Sequence, residues 1–146
     1  MPNARTYPAT VAECIDDSMR FNPAAFRAVR RLARSKPWQG DAEMRRAKLY
    51  ACGRELAAAY GIHVPHVTCN PGLPDCYVPA ECRINLSPRL SVVTFLHEFA
   101  HHLQHCRRGR TTERFACRWS INLFKRCFPR SFARCVPEGH CLRRPI

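Results

Sequence analysis

Apolar residues recur along this chain with two different periods, and the change of period divides it. From Asn22, which can cap a helix whose first residue is Pro23, the stretch PAAFRAVRRLARS sets Phe26, Val29 and Ala33 on one side with arginines between them, predicting a first helix over about 23–35. Lys36-Pro37 closes it. Asp41 is placed to cap a second helix, AEMRRAKLYACGRELAAAY, in which Met44, Leu49, Cys52, Leu56 and Ala59 form one broad apolar side and Gly61 supplies the stop. From His63 the helical period is lost. HVPHVTC, NPGLPDC and YVPAECRINLS are short β-type runs broken by prolines and turn residues. They predict a small sheet of two to four strands, with RINLS as its best-formed strand and Asn70 to Asp75 as a connecting loop. Past Pro88 the helical period returns: Val92, Phe95, Leu96, Phe99, Leu103 and Cys106 predict a third helix over about 89–106. After the loop RRGR, Thr111 or Thr112 caps a fourth, ERFACRWSINLFKRC, which Pro129 breaks.

These elements describe one α+β domain over residues 1–146, with 1–22 and 129–146 as extensions that carry no assigned structure. The order is two N-terminal helices, a small sheet, a third helix and a fourth running back antiparallel beside it. The first residues, MPNARTYPATVAECIDD, hold no apolar run of signal-peptide length, and no window reaches the ~20 apolar residues of a bilayer span. The chain is therefore expected to be cytoplasmic, with no membrane partner.

Composition modifies this picture in two ways. Ten cysteines in 146 residues would suggest a disulfide framework in an exported protein. Without an export signal most are expected to stay thiols, and Cys52, Cys106, Cys117 and Cys127, set among apolar residues, read as small buried hydrophobes. Two sets, Cys69, Cys76 and Cys82 in the sheet region and Cys127, Cys135, His140 and Cys141 in the tail, are candidates for a structural metal site, although neither has C-x-x-C spacing. The net charge of +13 is carried almost wholly by arginine. Arg20, Arg27, Arg30, Arg31, Arg34 and Lys36 fall in a stretch without an acid, and a helix face so composed can contact nucleic-acid phosphates. A basic nucleic-acid-binding protein, or a cysteine-based structural metal protein without catalysis, is one reading of the chain; a metal-dependent enzyme is the other.

The third predicted helix contains LHEFAHHLQH, four histidines and a glutamate in ten residues. His97-Glu98-Phe99-Ala100-His101 fits H-E-x-x-H. On a helix His97 and His101 stand about 40° apart around the axis and about 6 Å apart along it, so both imidazoles can grip one zinc ion. Glu98 lies about 60° around from His101, within reach of a water on the ion without ligating the ion itself. His102 points about 100° away from His101, which leaves it and His105 to solvent or to supporting contacts. A catalytic zinc needs a third protein ligand and one open position. Glu113, in the first turn of the fourth helix, is the leading candidate and Cys117, one turn later on the same face, its rival; Asp75 and His140 are weaker options.

The pentad together with Glu113, Ala116, Trp119 and Ser120, spaced E-x-x-A-x-x-aromatic-small, resembles the ImmA/IrrE family of minimal zinc metallopeptidases over about residues 82–124. The resemblance implies a compact zincin with His97, His101 and Glu113 as zinc ligands and Glu98 as catalytic acid/base. SprT-like metallopeptidases are similar in the pentad and in basic character, but carry a downstream histidine ligand and paired C-x-x-C motifs. The activity expected is hydrolysis of peptide bonds in a specific intracellular protein through a metal-activated water. The strand Arg83 to Ser87, if at a sheet edge, could hold the substrate by backbone pairing. Tyr77, His102, His105 and several arginines are the candidates for stabilising the oxyanion.

Overall fold

The computed structural model describes residues 10–108, 111–139 and 141–143. A one-turn helix, α1 (Val11–Cys14), opens the described chain and is followed by α2 (Pro23–Arg34) and α3 (Ala42–Tyr60). Asn22 caps α2 by accepting from the amides of Ala24 and Ala25, and its own side-chain amide donates to the Ala59 carbonyl, tying the start of α2 to the end of α3. Asp41 caps α3 through the Met44 amide. Gly61 ends it in the left-handed region, φ 65°, where its amide and that of Ile62 take up the last free carbonyls.

Three strands follow, β1 (His66–Cys69), β2 (Cys76–Val78) and β3 (Arg83–Leu86). β3 lies in the middle, parallel to β1 and antiparallel to β2. This corrects the expectation that Arg83 to Ser87 could offer a free edge: both sides of that strand are taken, and the edges are β1 and β2. Being central also explains why Ile84, Asn85 and Leu86 are buried in succession instead of alternating. The side-chain amide of Asn85 is satisfied by the loop it supports, accepting from Thr68 Oγ1 and the Asn70 amide and donating to the Pro74 carbonyl at 3.0 Å. Cys69 pairs with Leu86 and Cys76 with Asn85, neighbours whose side chains leave opposite faces. Cys69 and Cys76 therefore do not converge.

Next come α4 (Val92–Arg108) and α5 (Glu113–Cys127). α4 begins three residues later than the apolar period suggests, because Ser87 to Leu90 form a turn in which Leu90 takes φ 49°; Ser91 then accepts from the Thr94 amide. Phe95, Leu96, Phe99 and Leu103 of α4 meet Ala116, Trp119 and Leu123 of α5 and the apolar sides of α2 and α3 in one core. Phe99 stacks on Trp119 with ring centroids 5.9 Å apart. Pro129 does end α5, but it also starts a short helix, α6 (Pro129–Arg134), as its first residue. The unassigned tail forms a hairpin, β4 (Val136–Glu138) with β5 (Cys141–Arg143), whose turn carbonyl at Gly139 accepts from the Val11 amide at 2.7 Å. No described helix is long and apolar enough to cross a membrane. On α2, Arg27, Arg30 and Arg34 are solvent-facing to differing degrees, whereas Arg31 pairs with Glu55 at 3.0 Å.

Candidate metal centre

His97 and His101 leave α4 one turn apart, with their rings at 77° and their Nε2 atoms 3.3 Å from each other. Glu113 reaches both from the first turn of α5: Oε1 lies 2.8 Å from His101 Nε2 and Oε2 lies 3.1 Å from His97 Nε2. Local chemistry fixes that approach. Thr112 caps α5 by accepting from the Phe115 amide, and its own amide donates to Gln104 Oε1 at 2.8 Å. Gln104 is three residues beyond His101 on α4, so this bond sets where Glu113 stands relative to the histidines. Reading the sequence misses Gln104, because nothing in its spacing marks it for that task.

The donors suit zinc. Tetrahedral nitrogen and oxygen ligands about 2.0–2.2 Å from the ion lie about 3.3–3.5 Å from one another, and two imidazoles with one carboxylate are a catalytic zinc set. The separations here, 2.8, 3.1 and 3.3 Å, are within a small adjustment of that triangle. Hydrogen bonds from His101 and then His97 hold the Glu113 carboxyl well below its ordinary range, so it is already a carboxylate. The buried Nδ1 of His101 has no hydrogen-bond partner among the described residues, so the ring's polar contacts are all made through Nε2, at the site.

Glu98 sits beside this triangle, 8% exposed, with a carboxylate oxygen within 4.8 Å of donor atoms of His97 and His101. Burial pushes its carboxyl above the usual range, and the two neighbouring imidazoles oppose that shift. A largely buried carboxyl whose charged form is opposed by desolvation, beside two imidazoles, is a candidate for proton transfer.

His102 is built differently. Fully buried, it places Nε2 2.7 Å from the His63 carbonyl and Nδ1 2.8 Å from the Tyr77 hydroxyl. A carbonyl only accepts, so Nε2 carries the proton and the Tyr77 hydroxyl donates to Nδ1. Neither group is free to meet an oxyanion, and His102 is not solvent-exposed. His105 is half-buried with its ring centroid 6.0 Å from that of Tyr77.

Of the other candidate ligands, Asp75 is engaged by the Ser87 amide at 2.7 Å and approaches Glu98 only closely enough to influence its charge. His140 lies outside the described residues. Cys117 is buried on α5, and His97, Glu113 and Cys117 each offer a donor atom within 4.8 Å of the others. Burial pushes its thiol up to about 12, so it must lose a proton to ligate, which Glu113 need not. No disulfide joins the ten cysteines; Cys52 is buried as well, Cys106 and Cys127 half-buried. Comparison of the chain with protein-family models, with curated proteins and with solved structures finds no match.

Proposed function

We propose that this chain is a zinc-dependent metallopeptidase of the zincin type, similar in its site to the ImmA/IrrE family, that hydrolyses peptide bonds in a specific intracellular protein. The observation that carries the reading is the convergence of His97 Nε2, His101 Nε2 and the Glu113 carboxylate from two helices, with Glu98 buried alongside. These three side chains would hold the ion, and zinc so bound supplies a Lewis acid that acidifies water and polarises a carbonyl. Glu98 supplies the proton transfers: a carboxylate oxygen takes the proton of the attacking water and returns it to the departing amine. The raised carboxyl of Glu98 suits a group that must both accept and donate near neutral pH.

An extended substrate would pair with the outer edge of β2, which enters the sheet directly after Asp75 at the Glu98 side of the site. A groove of about 490 Å³ between the start of α4, α6 and the tail hairpin includes Asp75 and Thr94, one turn before Glu98. It gives side chains beyond the cleaved bond a place to lie.

The test is metal content and peptidase turnover of the wild type beside Glu98→Gln and His97→Ala. Glu98→Gln keeps one zinc per chain and loses at least about 10²-fold in turnover; His97→Ala loses both. A Glu98→Gln protein that turns over like wild type overturns the proposal.

A further inference from the structure

We propose that Cys117 is a fourth protein donor to the ion held by His97, His101 and Glu113, so that the resting centre is closed by a thiolate and the position a reacting water needs opens only when that sulfur withdraws. The inference rests on the metallopeptidase reading of the site and adds its regulation.

Cys117 follows Glu113 by one turn on the same face of α5, so a helix that delivers one to the histidines delivers the other as well. Its sulfur is grouped with donor atoms of His97 and Glu113, all within 4.8 Å of one another. In a tetrahedral site a sulfur about 2.3 Å and a nitrogen about 2.0 Å from zinc are about 3.5 Å apart.

The ordinary role of a buried cysteine is to fill space, and the surroundings of Cys117 allow that to be weighed. It shares a small apolar cluster with Val11, Cys14 and Ile121. Cys14, the other thiol there, donates to the Thr10 carbonyl at 3.5 Å. The Cys117 thiol, at 1% exposure, makes no hydrogen bond among the described residues, and donor atoms of His97 and Glu113 lie within 4.8 Å of its sulfur. When the sulfur takes up the ion its thiol proton passes to the buffer, so charge and atoms balance with no redox partner.

Cobalt(II) replaces zinc in such sites and reports its donors by absorption. Cobalt-loaded wild type should show the near-ultraviolet thiolate-to-cobalt charge-transfer band beside its visible bands. Cys117→Ser and Cys117→Ala should lose that band while keeping the visible ones, and should release cobalt to a chelator about tenfold or more faster. Cys14→Ser, made in the same cluster, should keep the band; serine preserves volume at residue 117 if alanine prevents folding. A wild-type cobalt protein whose visible bands depend on His97, His101 and Glu113 but which has no charge-transfer band overturns this inference and leaves the peptidase reading standing. Survival of the band in Cys117→Ser overturns it equally. Failure to bind cobalt, or binding indifferent to His97 and Glu113, overturns both.

Discussion

His101 and His102 are chain neighbours with opposite employment, and the difference comes from what faces each. His101 looks across to α5, where Glu113 meets it; His102, turned about 100° away, enters the gap between α4 and the sheet. The pair that could share an ion is legible in the sequence, since helical geometry alone selects residues 97 and 101. The task of His102 is not, because its partners, Tyr77 and the His63 carbonyl, are 25 and 39 residues away in the chain. That task is structural and can be measured separately from the metal. Tyr77→Phe removes the hydroxyl donated to Nδ1 and leaves a buried acceptor with only the weak Cys106 thiol, 3.8 Å away. The expected cost is about 1–2 kcal/mol in urea unfolding with zinc content unchanged. An unaltered unfolding midpoint would show that Tyr77 and His102 do not support each other.

Elements with local signals emerge where the sequence places them. Asn22-Pro23, Asp41 and Thr112 carry their capping chemistry within three or four residues, so α2, α3 and α5 begin as the pattern predicts. What depends on distant pairing is not legible. The place of β3 in the centre of the sheet follows from its pairing with β1, a separate segment of the chain, and no local pattern states it. The extension before α2 is a second case. Asp16 and Asp17 are an unremarkable acidic pair in the sequence, yet the Asp16 amide donates to Asn122 Oδ1 on α5 and its carboxylate pairs with Arg118 at 3.0 Å. Hydrogen bonds from the Ser18 hydroxyl and amide, with Arg118 adding to them, hold the Asp16 carboxyl below its ordinary range. A depressed folded-state pKa contributes stability that is complete above the unfolded value of about 3.9 and is lost as pH falls through the folded one. Acid unfolding curves of wild type and Asp16→Asn should therefore diverge at neutral pH and approach each other below about pH 4. Parallel curves down to lower pH would show that Asp16 titrates alike in both states.

At the scale of the molecule, the candidate ligands come from α4 and α5, the helices that also carry most of the central aromatic packing, Phe99 on Trp119 among it. An ion gripped by both helices is therefore linked to global unfolding. A ligand that binds only the folded chain stabilises it by an amount set by its excess over Kd, about 4 kcal/mol at 1,000-fold. For a chain of this length each kcal/mol raises the melting temperature by about 3 °C, so zinc should raise it by roughly 12 °C and a chelator should return it. Ten cysteines complicate the measurement, since thiols of the unfolded chain also bind zinc and subtract from the gain. His97→Ala keeps all ten, so the difference between its zinc response and that of the wild type isolates the folded site. Glu98→Gln, which removes no ligand, should respond as the wild type does. If His97→Ala gains as much from zinc as the wild type, the ion sits on cysteines and the pairing of α4 with α5 around a metal is wrong.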